Sequence, residues 1–165
     1  MFWKYKIILI IIGIVVLVGI ILTGLWQQGI LFNSEKKLLR QIQDRSDLVD
    51  FFNKAQNTKI EIAKNPEKAS LYFDLGLYWK SIGELGGGAP FFQKSLEAYE
   101  KGIAKFGQKN ILFYLNGGKL AERLGDYGKA ENYYKKAIEI SSADESGYLY
   151  LIDLYSYNLN KSKED

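Results

Sequence analysis

The feature that most restricts what this chain can fold into is an internal repeat. The stretch LYFDLGLYWKSIG (71–83) sets Tyr72, Leu75-Gly76, Trp79 and Gly83 in a frame. Forty-two residues later, FYLNGGKLAERLG (113–125) repeats that frame with Tyr114, Gly117-Gly118, Ala121 and Gly125. A third copy, GYLYLIDLY from Gly147, follows after 34 residues with Tyr148, Leu151-Ile152 and Tyr155. Between the frames lie FFQKSLEAYEKGIAKF (91–106) and YGKAENYYKKAIEI (127–140), which read as second helices. A helical unit of this length cannot bury its apolar face alone and must stack on its neighbours. The expected fold class is all-α.

The segment GDYGKAENYYKKAIEI (125–140) resembles the tetratricopeptide repeat family, in which a glycine turn is followed by an aromatic, a small residue, a second aromatic and a second small residue. Gly125, Tyr127, Ala130, Tyr134 and Ala137 supply these at the family's spacing. The physical logic is close packing, since antiparallel helices approach where one presents glycine or alanine and the other an aromatic ring. The first repeat departs from the pattern, with Ser95 and Gly102 at the alanine places and about eight extra residues that include Glu84 to Pro90. The resemblance covers 69 to about 157, extends to 46 if the preceding helix is counted as a degenerate half-repeat, and implies a short right-handed α-solenoid of about two and a half repeats.

Upstream, DRSDLVDFFNKAQNTKIEIAK reads as a helix with Ser46 as its cap and Leu48, Phe51, Phe52, Ala55 and Ile62 on one apolar face. Asn65-Pro66 should end it, because a residue before proline is pushed out of helical geometry. Lys64-Asn65-Pro66 resembles a repeat's closing turn, so this helix reads as the second half of a degenerate earlier repeat. The expected organisation is a short tail (1–6), a transmembrane helix (7–26), a linker and juxtamembrane helix (27–45) and a helical repeat domain (46–165). The transmembrane expectation rests on Ile7 to Leu25, 19 uncharged residues that as a helix span about 28 Å, with aromatic flanks. Lys4 and Lys6 beside it place the amino terminus in the cytoplasm and the repeats outside it.

Composition removes most chemistry. There is no cysteine and no histidine, hence no disulfide, thiolate zinc site or imidazole base. Setting aside Lys4 and Lys6 leaves 20 basic against 19 acidic residues, which is no electrostatic footprint for nucleic acid. Gly86-Gly87-Gly88 lacks the Gly-Lys-Ser/Thr ending of a phosphate loop and reads as a flexible insertion closed by Pro90. The acid pairs Asp144-Glu145 and Glu97 with Glu100 read as solvated surface charge. No catalytic residue, metal site or cofactor is expected, and the chain is read as a non-enzyme.

The resemblance implies a concave face lined by the first helix of each repeat, a surface on which solenoids bind extended or helical peptides. Projecting the three frames puts Phe73, Leu77, Lys80, Leu112, Leu115, Asn116, Lys119, Arg123, Leu149, Tyr150 and Asp153 there. Only Asn116 fits the family's carboxylate clamp; Phe73, Leu77, Ser146 and Tyr150 take the other places, so a clamp is not expected. The last helix, GYLYLIDLYSYNL (147–159), is apolar nearly all round. Tyr148, Leu151, Ile152 and Tyr155 should pack inward, leaving Leu154, Tyr157 and Leu159, with Leu149 and Tyr150, as a docking end for a partner or a second copy. The expected function is a membrane-tethered scaffold that binds a protein partner in the groove. The alternative is a permanent structural subunit of a larger membrane assembly, of secretion or surface-appendage type.

Overall fold

The computed structural model describes residues 34–157, all helices and turns with no strand among them. The chain divides into two units, Met1–Gln41 and Ile42–Asp165. Residues 34–42 form helix α1. The second unit continues with α2 (Ser46–Lys64), α3 (Ala69–Ile82), α4 (Ala89–Phe106), α5 (Ile111–Arg123), α6 (Tyr127–Ile140) and α7 (Ser146–Tyr157).

Local chemistry explains where these helices begin and end. α2 stops at Lys64 because Asn65, ahead of Pro66, sits at φ −130°, outside helical geometry. Its start differs from the expectation: Ser46 is already helical, and Arg45 precedes it without a side-chain cap, held instead to the Asp47 carboxylate at 2.7 Å. The insertion after α3 is a wide π-type turn, Gly83–Gly87, in which the Gly88 N–H donates to Gly83 O at 3.2 Å. Gly86 (φ +118°) and Gly88 (φ +76°) adopt backbone conformations that side chains disfavour, and Pro90 then enters the first turn of α4. α5 begins where the Asn110 side chain accepts from the Leu112 N–H, and α6 where Asp126 accepts from Lys129 N–H. Gly125 at φ +79° closes α5, with the Asp126 N–H donating to Ala121 O at 2.8 Å.

The helices pack in sequence order, through contacts between small residues and rings. A Cβ on Gly76 of α3 would lie 2.6 Å from the Tyr99 ring of α4. Gly118 of α5 holds the same relation to the Tyr134 ring of α6. The two pairs are joined where Gly102 of α4 receives the ring of Phe113 from α5. Phe113 also packs within 6.2–6.4 Å of the Phe73, Tyr99 and Phe106 rings and is fully buried. The Ser95 hydroxyl donates to Gly76 O at 2.6 Å, so the serine at an alanine place is a satisfied buried polar group. α2 covers α3 edge-on, with the Phe52 and Trp79 rings 5.4 Å apart. Leu48, Phe52 and Ala55 are its buried face, while Phe51 and Ile62, expected with them, are half-buried.

Burial pushes the Tyr99 phenol well above its ordinary value. Burial, then the Glu100 carboxylate, raises Tyr133; burial, then Glu122, raises Tyr134. These phenols are neutral below pH 10 in folded and unfolded chains alike. Above it the unfolded chain ionises first, so stability is lost as pH rises. The urea midpoint is therefore expected to fall between pH 10 and 12. Among the described residues the buried Tyr99 hydroxyl has no hydrogen-bond partner. Tyr99→Phe should cost under about 1 kcal/mol at neutral pH and soften the alkaline loss. A large neutral-pH loss would show that the hydroxyl is paired after all.

Among the described residues no helix is long and apolar enough to cross a membrane. α2 has the length, but Asp47, Asp50, Lys54, Lys59, Glu61 and Lys64 run along it; α4 carries Lys94, Glu97, Glu100, Lys101 and Lys105. This finding corrects the single-pass localisation, with its cytoplasmic amino terminus and extracytoplasmic repeats, read from the sequence. The apolar stretch 7–26 on which that reading rested lies outside the described residues.

Candidate functional site

The first helix of each pair, α3, α5 and α7, carries a polar and aliphatic stripe at helical spacing. On α5 it is Leu112, Asn116, Lys119 and Arg123, on α3 Phe73, Leu77 and Lys80, and on α7 Leu149 and Asp153. Leu77, Leu112 and Leu149 are 41%, 49% and 54% exposed, so each of the three helices leaves one leucine uncovered. Isolated exposed leucines are ordinary, and these three stand at different places of the repeated frame: Leu77 aligns with Lys119 and Asp153, Leu112 with Ser146, and Leu149 with Phe73 and Leu115.

The neighbouring positions differ in their freedom. Phe73 is half-buried, edge-on to Tyr99 at 5.7 Å and to Phe113 at 6.3 Å, and serves the core. Leu115 is buried with Ala121, Tyr134 and Leu154, which removes it from the expected groove. The Asn116 side-chain amide donates to Leu112 O at 2.8 Å, back along its own helix. Lys119 is exposed, its ammonium 4.0 Å from the centre of the half-buried Tyr150 ring. Lys119, Glu122, Arg123, Tyr150 and Asp153 line a shallow depression between α5 and α7.

The electrostatics centre on a residue that sequence reading passed over. Glu84, in the inserted turn, lies 3.2 Å from Arg123 and 3.8 Å from Lys80. Arg123 also stacks its guanidinium 5.2 Å from the Phe92 ring. Two of the three expected groove cations are thus already partnered by one carboxylate. The i,i+4 spacing from Lys80 was visible in the sequence; the link to Arg123 runs between separate repeats and carried no sequence signal.

The terminal helix is rotated from its expected phase. Leu154, expected as a docking residue, is 1% exposed and belongs to the core between α5, α6 and α7, with Tyr150 and Leu151 packed beside it. Tyr148, Ile152 and Tyr155, expected to face inward, are exposed. The Tyr157 side chain and Leu159 lie outside what is described. Among the described residues no group of His, Cys, Asp and Glu is arranged to hold a metal ion.

Residues 113–144, which run from α5 through α6 into the following turn, match a family model described as tetratricopeptide repeat. The match supports the resemblance drawn from Gly125 to Ile140 and coincides with the Gly118–Tyr134 pair. Repeats of this kind are typically non-catalytic modules that bind protein partners. No curated protein shows a significant match to the chain.

Proposed function

We propose that residues 46–157 form a non-catalytic interaction module whose groove takes one amphipathic segment of a protein partner across α3, α5 and α7. The observation that carries this reading is the exposed leucine on each of the three first helices, Leu77, Leu112 and Leu149. These side chains are already about half covered, so covering the rest of each gains on the order of 1 kcal/mol, about half the value for a fully exposed leucine. Lys119, Glu122, Arg123 and Asp153 line the α7 side with two charges of each sign, and Glu84 offsets part of the charge of Lys80 and Arg123. The groove therefore favours a segment anchored by apolar residues with mixed charge, in preference to a strongly acidic one. This is narrower than the acidic-apolar ligand that the lysines alone imply.

The test is selection of displayed random peptides on the full chain, followed by titration against Leu77→Asp, Leu112→Asp and Leu149→Asp variants whose helicity is intact. Each variant should weaken selected peptides at least tenfold, the equivalent of about 1.4 kcal/mol. Peptides that bind wild type and all three variants alike would place recognition elsewhere on the domain.

A further inference from the structure

The register of the repeats singles out a second surface, independent of the groove. Tyr72, Gly76 and Trp79 of α3 correspond to Tyr114, Gly118 and Ala121 of α5 and to Tyr148, Ile152 and Tyr155 of α7. In the first two repeats the following helix covers this trio, and its tyrosine ring, Tyr99 or Tyr134, lies directly on the glycine. In α7 the same trio is 43%, 58% and 38% exposed. The glycine has become Ile152. A β-branched side chain there excludes a ring laid on the helix backbone, which is how this chain seats its own second helices. The face instead suits interdigitation with another helix at an ordinary separation of about 8–10 Å.

We infer that this face joins two copies of the chain, with α7 packed antiparallel on α7 about a two-fold axis near Ile152. The stripe is close to palindromic: Tyr148 lies four residues before Ile152 and Tyr155 three after it. Antiparallel pairing therefore sets Ile152 on Ile152 and each Tyr148 on Tyr155 of the other copy, the self-complementarity that a two-fold interface requires. The ends distinguish the two orientations. Glu145 is exposed one turn before Tyr148. At the opposite end the Tyr155 hydroxyl donates to Glu131 at 2.8 Å, and Lys135 meets the same carboxylate at 2.5 Å. Parallel pairing sets Glu145 against Glu145, a repulsion, whereas antiparallel pairing carries each Glu145 to the end where Glu131 and Lys135 balance one another. The Tyr155–Glu131 bond also fixes that ring in advance, which lowers the entropy lost on association.

The chain contains no cysteine, so single introduced thiols read the geometry directly. In the full chain under mild oxidation, Ile152→Cys should form disulfide-linked dimers at least tenfold faster than the exposed control Leu112→Cys. Tyr148→Cys alone should stay unlinked, whereas mixed with Tyr155→Cys it should cross-link. Because the assay reads position, association through any other segment does not produce this pattern. Ile152→Cys linking no faster than Leu112→Cys overturns the inference, as does Tyr148→Cys pairing with itself as readily as with Tyr155→Cys.

Discussion

Phe113→Ala is expected to cost the domain about 3–5 kcal/mol, the usual loss for deleting a fully buried aromatic ring. Against a typical total stability of about 5–15 kcal/mol, that is enough to leave the variant partly unfolded in mild urea. The effect should cross the repeat boundary, because the ring seats on Gly102 of α4 and packs against Phe73 of α3, although it belongs to α5. Trp79 sits in α3, in the preceding repeat, and with Trp3 and Trp26 replaced by phenylalanine its fluorescence reports that half of the domain. In urea titrations, the Trp79 transition and the circular dichroism transition should shift together to lower denaturant. A Trp79 midpoint left in place would show that the two repeats unfold separately and that Phe113 does not couple them. The adjacent Leu112, half exposed, provides the contrast: Leu112→Ala should stay within about 0.5 kcal/mol of wild type.

Two glycine-to-alanine changes should have opposite signs. Gly128 lies in the first turn of α6 with nothing within 4 Å of an added Cβ, so alanine gains part of the helix-propensity difference, about 0.5 kcal/mol of stabilisation. Gly118 offers the full propensity gain, but its Cβ would overlap the ring of Tyr134. That ring is fully buried and its hydroxyl donates to Glu122, so it has neither space nor freedom to withdraw. Overpacking of this kind costs about 1–3 kcal/mol, which outweighs the propensity term. Thermal melts should show Gly128→Ala above wild type and Gly118→Ala several degrees below it. Equal melting temperatures for the two would mean that α5 and α6 are less tightly apposed than the glycine–ring contact implies.

The parts of the fold that were legible in the sequence are those governed by local chemistry. Asn65-Pro66, Gly125 and the span of α6 from Tyr127 to Ile140 stand where turn residues and spacing put them. The repeated frame marked Gly76 and Gly118, and the resemblance marked Tyr134, but the seats Gly76–Tyr99 and Gly118–Tyr134 emerge only in the structure, because the insertion at 84–90 gives the two pairs different separations along the chain. The frame missed Phe113, which sits one place before the recurring Tyr114 and has no counterpart to mark it. It also misjudged α7. A helix apolar on nearly every side has no amphipathic direction of its own, so neighbouring helices alone decide which side is buried. Transferring the phase of the first two repeats assumed a covering helix; in its place Tyr150, Leu151 and Leu154 turn toward α5 and α6. The exposure of Leu77, Leu112 and Leu149 was legible for the opposite reason, each having polar neighbours on its stripe. Glu84 was not, since nothing local announces a carboxylate that bridges two repeats.

The order in which the helices pack has a kinetic consequence. From α2 onward every principal pairing joins neighbours along the chain: α2 with α3, α3 with α4, α4 with α5, α5 with α6 and α6 with α7. No distant segments must find one another before stabilising contacts form, so the loop entropy spent ahead of each contact is small. Topologies of this low contact order fold in microseconds to milliseconds, orders of magnitude faster than sandwiches of equal stability. Any hairpin of helices can start the process and its neighbours can add to it, giving the domain several parallel routes to one end state.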